Sequence, residues 1–199
     1  MIDPTEATHG TVLLQPGRPF ATPELMVLSH EGVIRQVLPG TFVCSVVEDT
    51  PGLRATAVAT LAGPRLLEVA VIGRLTAAWV HGFHPAPDTL ELLVSRFHRI
   101  PLHRGQVRLA LHECVLEPTE VDERFRMPVT TPIRTGLDLA FHSEPAVARR
   151  VISRLIAARS GACTRDELLA AIEATGRRPG KRAAWDLVQG LPSLAAVPR

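Results

Sequence analysis

Residues 127–140 read M-P-V-T-T-P-I-R-T-G-L-D-L-A, and this stretch joins a strand-like half to a helix-like half. Three β-branched residues, V-T-T, lie between two prolines, and a residue before proline favours an extended backbone. Thr131 stands where a helix N-cap is expected, and Pro132 suits the first helical position because no N–H is needed there. Arg134 and Asp138 are four residues apart and can pair across one turn. The stretch predicts a strand that leads directly into a helix.

The rest of the chain alternates helix-like and strand-like segments. Apolar periodicity and turn signals predict strands over 11–15, 33–38, 41–47, 66–72, 89–95 and 107–112. They predict helices over 22–31, 53–61, 73–82, 144–158, 165–174 and 181–188. Thr22 is expected to be the N-cap of the first of these helices, and Thr164 the N-cap of the helix that starts at residue 165. The spacing of the strands at 89–95 and 107–112 predicts antiparallel neighbours, and residues 113–126 are expected to form an acidic loop.

These segments predict an α+β fold. Residues 1–60 contain helix, strand, turn and strand, the order found at the end of a winged-helix module, but too few residues precede them for the two further helices of that module. We therefore expect a small degenerate winged-helix-like part at 1–60. It would pack on a mixed α/β domain at 61–142, and residues 143–199 would form the helical C-terminal part of that domain.

Composition excludes several classes of protein. The chain has 199 residues, 46% of them hydrophobic, and a mean hydropathy of +0.14, enough for a sizeable core. It has neither an apolar run of the roughly 18 residues that a membrane span needs nor a signal-like start, so we expect a cytoplasmic protein. The three cysteines lack the spacing of a zinc site or a disulfide framework and are expected to be buried free thiols.

Basic residues are concentrated towards the C-terminus. Residues 146–199 carry ten basic and four acidic side chains, and such asymmetry is typical of a surface that binds an anionic partner, although a solvated helix face is an equal alternative. The residues predicted to contact DNA phosphates on this segment are Arg149, Arg150, Arg154, Arg159, Arg177, Arg178, Lys181 and Arg182. Arg35 and Gln36, near the expected wing, complete the predicted DNA-binding set.

Catalytic signals are missing from the sequence. Five of the eight histidines lie between His81 and His112, yet none has the spacing of a metal site, and His98 and His103 flank arginines in what we expect to be a loop. The sequence also lacks a nucleophile motif, a phosphate-binding loop and the acidic pattern of a nuclease or nucleotidyltransferase. We therefore expect a protein that is not an enzyme and that needs no metal or other cofactor.

Two short motifs resemble the AbiEi antitoxin family of type IV, abortive-infection toxin–antitoxin systems. V-T-T-P-I-R-T-G-L-D-L-A resembles the family's T-x-x-R-T-x-x-D-L-A element, and L-T-A-A-W-V-H-G precedes it as in the family. The resemblance covers about Met26 to Trp185 and implies structural roles for the motif residues His81, Gly82, Thr131, Arg134, Thr135 and Asp138.

The resemblance implies a transcriptional regulator that binds its operator DNA and neutralises a nucleotidyltransferase toxin. Two alternatives remain open from the residues alone. One is a protein-interaction module that does not contact DNA, and the other is the accessory domain of a nuclease-fused relative.

Overall fold

The computed structural model describes residues 13–17, 19–96, 103–104, 107–158, 161 and 163–192. Within them lie eight α-helices: α1 (Thr22–His30), α2 (Pro51–Ala62), α3 (Pro64–Leu67), α4 (Arg74–Val80), α5 (Pro132–His142), α6 (Pro145–Ile156), α7 (Arg165–Ala174) and α8 (Lys181–Gln189). The described strands are β1 (Ile34–Leu38), β2 (Thr41–Cys44), β3 (Ala70–Ile72), β4 (Thr89–Val94), β5 (His103–Arg104), β6 (Val107–Glu113), β7 (Val121–Asp122) and β8 (Val129–Thr130). The fold is therefore α+β, as the sequence predicts.

The N-terminal part is built from α1 and the hairpin β1–β2. The hairpin pairs antiparallel, and Gly40 in its turn has a φ of +69°, a conformation that glycine adopts without strain. Leu14 forms an isolated bridge with Phe42, whereas residues 11 and 12 of the strand predicted there lie outside the described residues. Helix, strand and strand follow in the predicted order, and the assignment to a winged-helix class stays a prediction.

The central sheet has six described strands in the order β5-β6-β4-β3-β8-β7. β3 pairs antiparallel with β4 and parallel with β8, so β8 lies between β3 and the edge strand β7 and leads directly into α5. Thr131 is the N-cap of α5, its hydroxyl accepting from the Arg134 N–H at 3.3 Å. The strand-to-helix junction predicted from residues 127–140 is thus confirmed.

Several local predictions are wrong. β4 and β6 run parallel, because β5 pairs antiparallel with the start of β6 and so reverses the chain between them. The strand predicted over 66–72 is a short helix followed by a strand of three residues, since Gly63 (φ +79°) and Pro64 begin a helical turn. The N-cap of α1 is Ala21, whose N–H donates to the Glu24 carboxylate at 2.6 Å, and not Thr22.

Two further expectations need correction. The acidic segment 113–126 contains a 3-10 helix at Pro118–Glu120 and strand β7, whose register with β8 places Val121 opposite Thr130. Of the three free cysteines only Cys163 is buried, whereas Cys44 is exposed and Cys114 is half-buried.

The core consists mainly of two large hydrophobic clusters. One joins α2, the hairpin and the face of β4 that carries Leu90 and Leu92. The other joins α5 to α8, with Leu139, Val151 and Leu155 at its centre. Helix α4 contributes to both, because Trp79 belongs to the first cluster and Ala78 to the second. A third, small cluster lies beneath α1.

Candidate functional site

The two family-like motifs meet at one backbone carbonyl. His81, at the end of α4, places Nε2 2.8 Å from the carbonyl oxygen of Thr130, and the Thr135 hydroxyl donates to the same oxygen at 3.2 Å. The hydroxyls of Thr130 and Thr135 are also 2.7 Å apart, and both side chains are buried. Burial lowers the pKa of His81, so the neutral ring donates to the carbonyl. Helices α4 and α5 therefore hold the two-residue strand β8 between them.

Gly82 follows His81 and turns the chain after α4. Its φ is +88°, and a Cβ at this position would lie 3.3 Å from Nη1 of Arg54. Arg54 donates from Nη1 to the Trp79 carbonyl at 2.9 Å and forms a two-point ion pair with Asp49. The Arg54 guanidinium lowers the pKa of Asp49 and so keeps that carboxylate ionised. Arg54 thus joins α2 to the end of α4, and Gly82 leaves room for its guanidinium.

Arg134 is the centre of a buried polar network that we call the arginine clamp. Its Nε donates to Asp138 at 3.0 Å, its Nη1 to Glu120 at 2.7 Å and its Nη2 to Sγ of Cys114 at 2.8 Å. The exposed fractions of the Arg134 and Asp138 side chains are only 10% and 7%. The clamp therefore ties α5 to the 3-10 helix and to the end of β6, and the predicted pairing of Arg134 with Asp138 is confirmed.

The charges of the clamp are unequally compensated. Burial alone would lower the pKa of Arg134, but the Asp138 and Glu120 carboxylates outweigh it and raise that pKa above the ordinary value. Burial raises the pKa of Asp138, and the guanidinium offsets this only in part. Oδ2 of Asp138 has no hydrogen-bond partner among the described residues. The clamp therefore joins three segments of the chain, and its buried charges are not fully compensated.

A second polar group lies on the face of the sheet beside the clamp. Glu91 accepts from the Leu75 N–H at 3.1 Å and so caps the start of α4. Its Oε1 lies 3.5 Å from Nη1 of Arg74 and 3.3 Å from Nε2 of His112. Sequence reasoning missed this group, although an acid between Leu90 and Leu92 in an apolar strand is a signal for it.

The C-terminal end of α5 meets the turn between α7 and α8. The Arg178 guanidinium lies 4.0 Å from the centre of the Phe141 ring, and its Nη2 is 3.3 Å from Nε2 of His142. His142 is exposed, and sequence reasoning gave it no role. Nothing in its local sequence marks it, because its neighbours come from other elements.

The predicted DNA-binding residues fall into two groups. Arg35 and Gln36 lie on β1, where Arg35 donates to the Val47 carbonyl at 3.1 Å and Gln36 is exposed. The others lie on α6 and on the α7–α8 segment, over the second hydrophobic cluster. We call these residues the basic surface. They are Arg149, Arg150, Arg154, Arg177, Arg178, Lys181 and Arg182. Arg159 lies outside the described residues.

Several members of the basic surface have structural contacts. Lys181 donates to the carbonyls of Glu173 and Gly176 at 2.6 and 3.0 Å, which closes the end of α7. Arg182 pairs with Asp186 at 3.0 Å, and Arg154 reaches the Phe83 carbonyl at 3.4 Å. In the described part of the chain, no hydrogen bond is made by the side chains of Arg149, Arg150 and Arg177, which are exposed.

The described residues contain no group of three or more His, Cys, Asp or Glu side chains able to hold a metal ion. His103 lies on strand β5 and not in the predicted loop, whereas His98 lies outside the described residues. Among the described residues, none of the helices has the length and apolar character needed to cross a membrane.

Comparison with curated proteins gives no significant match. Among solved structures, the RV2827C protein from Mycobacterium tuberculosis is similar over 85% of this chain and 66% of that one, with 16% identity and a TM-score of 0.44. This chain thus spans just under two thirds of that protein. The sequence model described as the AbiEi antitoxin C-terminal domain matches residues 69–188, which is more than half of the chain. It includes both motifs that meet at Thr130, and the chain belongs to the AbiEi antitoxin family.

Proposed function

We propose that this protein is the antitoxin of a toxin–antitoxin pair and that it binds the DNA upstream of its own gene through the basic surface. The observation that carries the proposal is the position of the basic surface within the antitoxin domain. The antitoxin domain, residues 69–188, contains every member of that surface. Repression of its own operon and neutralisation of a nucleotidyltransferase toxin are the activities we propose for it. We propose in addition that the protein is not an enzyme and acts in the cytoplasm.

Helix α6 supplies the geometry for phosphate contact. Ala148, Val151 and Leu155 are buried, so the opposite face of α6 presents Arg149 and Arg150 to solvent. Arginine suits phosphate because its planar guanidinium donates two parallel hydrogen bonds. Each phosphate that is neutralised releases condensed counterions, so affinity for DNA should fall steeply as salt rises.

The test is a mobility-shift titration with the upstream DNA at several salt concentrations. We expect Arg149→Glu with Arg150→Glu to weaken binding and to reduce the slope of log K against log salt by about one for each phosphate that the variant no longer neutralises. Arg65→Glu is the matched control, because Arg65 is an exposed arginine that precedes the antitoxin domain. An absence of binding at low salt would disprove the DNA half of the proposal.

The second candidate is a protein-interaction module that binds the toxin without contacting DNA. It is favoured by the contacts of Lys181, Arg182 and Arg154, which already have partners within the chain. Co-purification with the product of the neighbouring gene separates the two candidates. A stable complex that survives reversal of Arg149 and Arg150, in a protein that does not shift DNA, would support the second one. Metal-dependent DNA cleavage by the purified chain would contradict both.

A further inference from the structure

Three polar side chains from three elements meet on one face of the sheet. We call them the Glu91 group, and they are Arg74 at the start of α4, Glu91 on β4 and His112 on β6. β4 and β6 are parallel neighbours, and Glu91 lies opposite Ala110, so His112 follows two residues further along the same face. The three side chains are 17%, 18% and 27% exposed. The group is therefore mostly desolvated and yet within reach of protons from solvent.

Nε2 of His112 has two neighbours that make opposite demands on it. Nη1 of Arg74, which can only donate, lies 3.1 Å away, and Oε1 of the Glu91 carboxylate, which can only accept, lies 3.3 Å away. A ring nitrogen carries either a lone pair or a proton. Nε2 therefore forms a hydrogen bond with Arg74 when it is unprotonated and with Glu91 when it is protonated, and never with both at once.

The ring of His112 is neutral near pH 7. Burial, followed by the charge of Arg74, lowers the pKa of His112 and outweighs the Glu91 carboxylate, which acts in the opposite direction. The 3.1 Å contact is then the hydrogen bond, with Arg74 as the donor, so the ring proton lies on Nδ1. Neutral His112 thus holds the Arg74 guanidinium on the sheet.

Further titratable or charged side chains lie on the elements around His112: Arg108 and Glu113 on β6, His142, Arg134 and Asp138 on α5, and Glu120 in the 3-10 helix. The pKa of His142 is lowered to about 4, so this ring carries no charge above that pH. Arg134 is balanced by its ion pairs with Asp138 and Glu120. The side chains of Arg108 and Glu113 are exposed and screened by solvent. Burial and the two other members of the Glu91 group therefore control the titration of His112.

Protonation of Nε2 by solvent turns its contact with Arg74 into a contact between two donors. The remaining contact of Arg74, 3.5 Å from Nη1 to Oε1 of Glu91, is longer than a charge-assisted hydrogen bond and is shared with the ring. Nε of Arg74 is buried and has no hydrogen-bond partner among the described residues, and the backbone there has a strained φ of +51°. Movement of the guanidinium to solvent therefore satisfies a buried donor that has no partner on the sheet.

We propose that His112 is a proton-controlled switch that exchanges Arg74 for Glu91 as its hydrogen-bond partner. The neutral ring holds the Arg74 guanidinium against the sheet, and the protonated ring releases it to solvent. Oε2 of Glu91 accepts from the Leu75 N–H in both states, so the start of α4 is unchanged. Acidification thus adds one positive charge and one mobile arginine to this face of the sheet. The switch does not depend on the function proposed above.

The experiment is NMR of the isotope-labelled full chain between about pH 8 and about pH 5, a range that includes the ordinary pKa of histidine. The ring-nitrogen shifts should show neutral His112 protonated on Nδ1. The order parameter of the Arg74 Nε–H should fall as His112 takes up its proton. The Leu75 amide should stay protected from hydrogen exchange throughout. His112→Phe keeps a ring but removes the acceptor, so Arg74 should be mobile at every pH.

Variants of the two partners test the sign of each contact. Arg74→Met removes the cation and should raise the pKa of His112 by about one unit or more. Glu91→Gln removes the anion, keeps an acceptor for the Leu75 N–H and should lower that pKa further. Arg65→Met is the matched control, because Arg65 is an exposed arginine outside the Glu91 group, and it should leave the titration of His112 unchanged.

A neutral His112 ring protonated on Nε2 would overturn the proposal. So would an Arg74 Nε–H whose order parameter stays the same throughout the titration, whether rigid or mobile. Should Arg74→Met fail to fold by circular dichroism, His112→Phe decides the question, since it leaves residue 74 unaltered. An Arg74 side chain that remains rigid in His112→Phe would show that the ring does not hold it.

Discussion

Removal of Arg134 tests the arginine clamp most directly. Arg134→Met deletes the guanidinium but keeps most of the side-chain volume. It leaves the Asp138 carboxylate, whose side chain is 7% exposed, without its only hydrogen-bond partner among the described residues. Breaking a buried ion pair from one side costs about 3 to 5 kcal/mol of unfolding free energy. The contact with Glu120 adds less, since that side chain is 28% exposed and its charge is screened by solvent.

The pair itself is measured by a double-mutant cycle. Arg134→Met, Asp138→Asn and the double variant are unfolded in urea, and Trp79 and Trp185 report on the two large clusters by fluorescence. Residues in one buried network usually show a coupling energy of about 0.5 to 3 kcal/mol, and we expect the upper half of that range. Arg134→Lys keeps the charge but cannot contact three partners at once, so its stability should be intermediate.

The pH dependence provides a separate check on the clamp. The folded pKa of Asp138 is raised above its ordinary value of 3.8, so the native state binds this proton more tightly than the unfolded state. The contribution of Asp138 to stability therefore decreases as pH rises from 3.8 to the folded pKa. Loss of Arg134 should widen this window, because the guanidinium is what lowers the folded pKa. In the double-mutant cycle, the clamp would be refuted if the losses of unfolding free energy in Arg134→Met and Asp138→Asn added up, within about 0.3 to 0.5 kcal/mol, to the loss in the double variant.

Four further variants test the fold and the environment of His142. Gly73→Ala should lose about 1 to 3 kcal/mol of unfolding free energy, because the new Cβ would lie 2.5 Å from Cγ of buried Leu93. Gly136→Ala should show a smaller loss in urea unfolding, because its Cβ meets the two methyl groups of Leu168 at 2.8 and 3.3 Å and the substitution gains helix propensity. His142→Asn should flatten the pH dependence of the melting temperature between about 4 and 6.5, where the lowered folded pKa makes the wild type less stable as pH falls. Thr164→Ala should cost about 1 kcal/mol by loss of the α7 capping box.

Sequence signals were sufficient at two helix starts that are set by neighbours in the chain. The start of α5 at Pro132 and the capping box at Thr164 follow from residues within one turn, and both are present. The parallel pairing of β4 and β6 was mispredicted, since it depends on β5, a strand of only two residues with no periodicity to detect. The polar group around Glu91 joins Arg74 to His112, which is 38 residues away, and no local pattern records that they converge.

The positions of the motif residues bear on what the family match means. His81, Thr135 and Arg134 all have hydrogen-bond partners within the chain, and each contributes to fixing β8, α5 or the segment before them. The motifs therefore identify a scaffold. An anion can be bound only by side chains that keep free donors at the surface, such as Arg150 and Arg178. Substitutions in the motifs should then reduce stability and DNA binding together, whereas substitutions of Arg149 and Arg150 should reduce DNA binding while the melting temperature stays the same.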